Sequence, residues 1–252
     1  MRYKQYLNEG RSKPLQYGDI GHILNTKCKK AVKAYYDGTR IYRGVASESS
    51  NNFLYINPKK HKPRRSKNTS NYYTLINDNS PAWKQYPKRS ESIICTTNFS
   101  YAGNYGSKTF VVFPYDGAKI GECPDDDYWG SFSNYGGNMS DFNSELKSLF
   151  DQVNIKINDK SYKHIKTAFD MFDSRFANND DFIKSLIQDE GYFILDGYTD
   201  FNNMTKHIQE MLNPNNNDFE LKKVGDKLLE YREVWTDSES LLISDSAIDT
   251  VI

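Results

Sequence analysis

The sequence predicts an α+β fold, and three observations carry that expectation. Short runs rich in β-branched and aromatic residues occur between positions 40 and 121, and again from Val234 to Ile243. Between them, from Ser140 to about Leu229, apolar residues recur at helical spacing. Aromatic residues make up 14% of the 252 positions, with 19 Tyr and 14 Phe. Disordered chains lack such residues. A chain with 37% hydrophobic residues and a mean hydropathy of -0.78 is therefore still expected to fold, around a Tyr-rich, partly amphipathic core.

The elements follow in order. Asp19 to Tyr36 reads as one amphipathic helix, with Ile20, Ile23, Leu24, Cys28, Ala31, Val32 and Tyr35 on its apolar face. Asp37-Gly38 stops it. Arg40 to Ala46 is a short strand with Ile41 and Val45 as its apolar positions. Residues 47 to 72 read as a polar loop holding the basic run Lys59 to Lys67. That run is either a solvated loop or a basic arm for a nucleic acid or acidic partner. Ser92 to Thr97 and Lys108 to Pro114 are strands, Tyr115-Asp116-Gly117 is a turn, and Ala118 to Gly121 is a further short strand. Helices are expected around Phe142 to Phe150, Ile165 to Phe172 and Phe182 to Ile187, then over Phe201 to Leu212 and Phe219 to Tyr231. The Asn-rich stretch from Asn213 to Asn217 links the last two. Val234 to Ile243 closes the chain as one strand. No internal repeat or heptad seam is present. The helical block, at about 140–230, reads as an insertion in a single domain spanning 1–252.

Composition excludes several classes. Lys+Arg 33 balances Asp+Glu 33 and the isoelectric point is about 6.9, so no global charge drives the chain toward nucleic acid or an anionic membrane. Cys28, Cys95 and Cys123 are irregularly spaced and form no Cys-x-x-Cys pair, so neither a disulfide framework nor a zinc knuckle is supported, and a reducing compartment is inferred. No apolar run has membrane-spanning length, and Met1 to Gln5 lacks the apolar core of a signal peptide. A soluble, cytoplasmic monomer without membrane contact is expected. The abundance of Asn, Lys and Tyr points to an AT-rich genome such as a phage's, which would place the protein in the bacterial host cytoplasm. His22, His61, His164 and His207 have no zinc-hydrolase spacing, and the glycines form neither a dinucleotide-binding fingerprint nor a P-loop. Asp125-Asp126-Asp127 reads as a solvated turn, because three adjacent acids rarely point at one ion. No metal site is expected.

Three short segments carry chemistry. Ile41-Tyr42-Arg43-Gly44-Val45 offers an arginine, which suits a pyrophosphate by its forked geometry, and a glycine that would let a ligand approach the backbone. Cys95-Thr96-Thr97 ends a strand and is followed by Ala102 and Tyr105-Gly106. Asp237-Ser238-Glu239 precedes Leu241-Leu242-Ile243. An arginine, a small hydroxyl-bearing strand and a glutamate, in that order, resemble the Arg / Ser-Thr-Ser / Glu-x-Glu layout of mono-ADP-ribosyltransferases. The resemblance covers roughly residues 19 to 121 and 230 to 250, and departs from the family pattern at Cys95 and at Asp237.

The resemblance implies an ADP-ribosyltransferase-like core of two small packed sheets with an inserted helical segment, and NAD as substrate. Arg43 and Gly44 would bind the cofactor with Cys95, Thr96 and Thr97, and Tyr42, Phe99 or Tyr101 would stack on nicotinamide. Glu239 would be the catalytic carboxylate, with Asp237 at the acceptor-activating position. Glu233, in Arg232-Glu233-Val234-Trp235, is the competing carboxylate. Glu239 is preferred because the better apolar strand follows it. Nicotinamide would be released and ADP-ribose passed to a protein or nucleic-acid acceptor. Alternatives are an NAD glycohydrolase and a catalytically degenerate phage binding or structural protein on the same scaffold.

Overall fold

The computed structural model describes residues 13–15, 17–45, 51–65, 70–133 and 135–252. Met1 to Gln5, Ala46, and Ser66 and Lys67 of the basic run lie outside the described residues. In chain order, β1 (Lys13–Pro14), α1 (Tyr17–Lys27), α2 (Lys29–Tyr36), β2 (Tyr42–Val45) and β3 (Phe53–Ile56) come first. Next come α3 (Tyr72–Asn79), β4 (Ile93–Thr96), α4 (Phe99–Gly103), β5 (Lys108–Pro114) and β6 (Lys119–Glu122). Helices α5 (Met139–Gln152), α6 (Tyr162–Phe176), α7 (Asp180–Gln188) and α8 (Met204–Met211) precede β7 (Glu220–Lys223), β8 (Glu233–Thr236) and β9 (Ser240–Ser244). Among the described residues, no helix is long and apolar enough to cross a membrane.

The chain divides into two compact units. One comprises Met1–Arg64, Gln85–Asp127 and Phe219–Ile252, and the other Arg65–Lys84 and Tyr128–Asp218. The helical part thus draws on an earlier piece of chain than the expected insertion at about 140–230, and it ends before β7.

In the first unit the strands form one antiparallel sheet in the order β1-β3-β9-β5-β2-β4-β8-β6-β7. This replaces the expected pair of separate sheets. The sheet is not flat, and chain length shows why. Thr236 and Ser240 are joined by three residues, a path of at most about 14 Å. Between β8 and β9 stand β4, β2 and β5, and four strand spacings amount to roughly 19 Å in a flat sheet. The sheet must therefore curl until the end of β8 nears the start of β9. Its narrowest joint lies between β2 and β4, where the ladder holds the single pair Tyr42↔Thr96. The expected strand from Val234 to Ile243 is accordingly two strands, with Asp237–Glu239 turning between them.

The first predicted helix is also two. It breaks at Cys28, which is buried and whose Sγ lies 3.5 Å from the Phe113 carbonyl oxygen. Asp116 bridges the break: its backbone N–H donates to the Lys27 carbonyl at 2.6 Å, and its Oδ1 accepts the Lys30 N–H at 2.9 Å. Both groups are helix-end orphans that need an outside partner. Residues 47–72, expected as a polar loop, contain β3, whose Leu54 and Ile56 are buried and whose ladder runs along β9.

The second unit packs α3, α5, α6, α7 and α8. The Asn-rich composition has a local use here, because Asn side chains cap helix N-termini. Asn138, Asn179 and Asn203 accept backbone N–H bonds at the starts of α5, α7 and α8. Phe142, Leu146, Leu149 and Phe150 form the buried stripe of α5. Phe150 meets Phe169 and Phe172 of α6 at ring separations of 5.7 Å. The helix expected over Phe219 to Tyr231 does not form. Glu220 to Lys223 pairs with β6 instead, and Gly225 and Tyr231 adopt positive φ of 100° and 58°, which a helix excludes.

Candidate active site

The candidate residues fall into two groups at different places in the strand-rich unit. In the first, Tyr42 on β2 pairs with Thr96 on β4, and Thr96 pairs with Glu233 on β8. Directly opposed residues of an antiparallel ladder share a face. Tyr42, Thr96 and Glu233 thus form a row across three neighbouring strands. Arg43 is one residue along, so alternation assigns it to the other face with Phe110, its partner on β5, and with Cys95.

Glu233 is buried, and its Oε1 lies 2.5 Å from Nη1 of Arg89, with the two side chains only 11% and 12% exposed. Arg89 opens a single 3₁₀ turn, Arg89–Glu91, just before β4. Its guanidinium sits over the Trp235 ring at 5.8 Å. Trp235 lies two residues beyond Glu233 on the same face. Its indole N–H donates to the Pro87 carbonyl at 2.8 Å, and Tyr86 stacks on it at 6.2 Å. The segment 86–89 is therefore fastened over β8 by an aromatic stack and a buried hydrogen bond. Tyr105 completes the surroundings. Its phenol is pushed up first by burial, then by a hydrogen bond to Tyr101 and by the charges of Asp127 and Glu233.

Each remaining residue of this group has a structural partner. Arg43 is 6% exposed and donates from Nη1 to the Ile94 carbonyl. It spans the joint where the β2–β4 ladder has stopped. Gly44 does not open the backbone to a ligand as expected. A Cβ there would lie 2.1 Å from the Ala102 carbonyl oxygen and 2.8 Å from the Gly106 nitrogen. The glycine admits the chain around α4, not a ligand. Cys95 is buried among the apolar core residues, with Sγ 4.0 Å from the Ile93 carbonyl. Thr96 accepts the Asn98 N–H at 3.1 Å, and Thr97 accepts the Arg232 N–H at 2.9 Å. Tyr42 is buried edge-on to Phe99, with rings 5.4 Å apart, while Tyr101 meets Tyr105 at 5.5 Å.

The second group is elsewhere. Glu239 accepts from Asn57 Nδ2 at 2.6 Å, and the Tyr55 phenol, raised first by burial, also hydrogen-bonds to it. Asp237 pairs with Lys59 at 2.8 Å. Ser244 is in register with Phe110 and so level with Arg43, and Glu239 stands five residues back along β9, roughly 16 Å at a strand's rise. The expected meeting of Arg43, the 95–97 strand and Glu239 does not occur, because the chain turns at Asp237–Glu239 and leaves Glu233 beside Thr96. Along the basic run, Lys59 holds Asp237, and the Arg64 backbone N–H donates to Ser90 at 2.7 Å. Arg65 donates to the Lys160 carbonyl at 2.6 Å. Asp125 accepts the Asp126 N–H at 2.8 Å. Among the described residues, no three His, Cys, Asp or Glu side chains are placed to hold a metal ion.

Sequence reasoning missed Arg89 as a partner of this site. No local pattern marks it, because its link to Glu233 spans 144 positions of the numbering and arises only when β8 is laid beside β4. Compared with known protein families, curated proteins and solved structures, the chain matches none.

Proposed function

We propose that the strand-rich unit is an NAD-dependent mono-ADP-ribosyltransferase, with Glu233 as the carboxylate at the nicotinamide ribose. The observation that carries this reading is the row Tyr42–Thr96–Glu233 on three adjacent strands, with Arg43 one residue along β2 on the opposite face. It supports bringing the arginine strand, the hydroxyl strand and a glutamate strand together, in the order the resemblance requires. The bond between nicotinamide and ribose C1′ breaks, its electron pair leaves with nicotinamide, and positive charge develops on the ribose. A fixed carboxylate stabilises that charge in the transition state more than in the ground state. The acceptor nucleophile, from a protein or nucleic acid, bonds to C1′ and releases its proton to solvent water. Thr96 supplies a hydroxyl next to the carboxylate, and Arg43 fixes the junction on which the row is built.

The test is nicotinamide release from NAD by the purified chain, with Glu233→Gln and Glu239→Gln beside it. Release lost at least a hundredfold in Glu233→Gln and kept within about threefold in Glu239→Gln is the expected result. The opposite pattern overturns the assignment of Glu233.

A second reading has its own observation. The Thr96 and Thr97 hydroxyls, the Arg43 guanidinium and the face of Gly44 are all engaged within the protein. That favours a catalytically degenerate scaffold acting as a binding protein. Its mark is no nicotinamide release and no rise in melting temperature with millimolar NAD.

A further inference from the structure

We infer that Arg89 is the positioning residue of the reaction: it fixes the direction and the charge of the Glu233 carboxylate. The inference rests on the reading of Glu233 given above. A carboxylate removed from water is driven toward its neutral form unless a cation or donors hold its charge. The role proposed for Glu233 requires the charged form. Arg89 provides a cation at 2.5 Å, and the two side chains are each nearly nine-tenths buried, where water screens the pair little. Asp127 and Tyr105 belong to the same surroundings. Asp127 carries the same sign, and the Tyr105 phenol, itself pushed up, stays neutral.

The placement of Arg89 is overdetermined. It begins the 3₁₀ turn Arg89–Glu91, its guanidinium lies on the Trp235 ring, and Trp235 is locked by its bond to Pro87 two residues before Arg89. The strand that carries Glu233 therefore also carries the platform for its partner. This arrangement keeps the guanidinium 2.5 Å from Oε1 as a buried ion pair, which restricts where the carboxylate lies. A surface ion pair between long side chains would not do this. Arg89 touches Glu233 and not the reacting atoms, so it acts on the turnover step through orientation.

The experiment measures kcat and KM for nicotinamide release by the full chain and by Arg89→Ala, with and without added guanidinium ion at low millimolar concentration. Arg89→Lys serves as a folding-safe companion that keeps the stem and the charge. Arg89→Ala is expected to lower kcat about a hundredfold with KM within about threefold, and guanidinium is expected to restore part of the loss. Arg89→Lys is expected to keep the wild-type melting temperature and lose about tenfold in kcat, because an ammonium lacks the planar fork. Unchanged kcat in either folded variant overturns the inference alone. So does a loss that guanidinium fails to restore in a variant melting like wild type. A wild-type chain that releases no nicotinamide, with or without acceptor proteins and nucleic acid, overturns both the reading of Glu233 and the role of Arg89.

Discussion

Gly44 is the residue whose sequence reading and structural role diverge most clearly. Beside an arginine it suggests close approach of a phosphate, yet the space is taken by the Ala102 carbonyl. The three nearest obstacles to a side chain there are all backbone atoms, which cannot swing aside. Gly44→Ala is expected to destabilise the strand-rich unit by about 2–3 kcal/mol, read from urea unfolding, because overpacking against fixed backbone forces a shift of α4. A variant as stable as wild type would show that α4 yields readily. Arg43 carries a similar lesson. Its type and neighbours were legible, but the partner it takes, the Ile94 carbonyl, depends on where the β2–β4 ladder stops. Cys95 and Thr96 point to opposite faces by strand alternation, which places the thiol in the apolar core and Thr96 across the ladder from Glu233.

At the scale of elements, periodicity was enough wherever a segment buries one continuous face. The expected strand Lys108 to Pro114 matches β5, and the apolar stripes of α5, α6 and α7 lie where helical spacing put them. The failures occur where a distant partner decides. Phe53–Ile56 is only four residues long in a polar setting and becomes a strand because β9 offers its edge. The break between α1 and α2 needs Asp116, 88 positions beyond Cys28 in the numbering, to serve both helix ends. Removing that carboxylate leaves the Lys30 N–H without its partner. Asp116→Ala is therefore expected to cost about 1 kcal/mol, with amide exchange quickened first at Lys30 and its neighbours in α2. Asp116→Asn, which keeps an acceptor, is expected to recover most of that loss. Equal exchange in wild type and Asp116→Ala would remove the capping role.

At the scale of the whole molecule, each unit holds an acid whose carboxyl is raised by removal from water. Glu122, 1% exposed on β6, accepts the Leu229 N–H at 2.6 Å and has Lys222 Nζ 3.8 Å away, and burial still raises it above its usual 4.5. Asp173 of α6, which accepts from Tyr198 and Met204, is likewise raised by burial. A carboxyl raised on folding contributes its full stability below the unfolded value and loses it as pH rises through the folded value. His207, lowered by burial, acts in the other sense: its contribution is present above its unfolded value and is lost as pH falls through the folded one. Glu122→Gln keeps an acceptor and deletes the buried charge. It is expected to melt with wild type at about pH 4 and about 3 °C above it at pH 7. A variant less stable than wild type at pH 7 would show that the ion pair with Lys222 outweighs desolvation.

The sequence by itself determined the mixed α+β character, the main helical stripes, strands β4 and β5, and the residue types of the candidate chemistry. Each of these follows from local periodicity or side-chain class, which need no knowledge of distant partners. Only the tertiary structure decided which glutamate stands across the ladder from Thr96. Glu233 and Glu239 are six positions apart in similar local settings, and strand pairing separates them. Register places Glu233 opposite Thr96, and beyond the turn at Asp237–Glu239 the second glutamate takes Asn57 as its partner. Hydrogen-bonded pairing between distant segments is a property of the assembled sheet, and no short stretch of sequence encodes it alone.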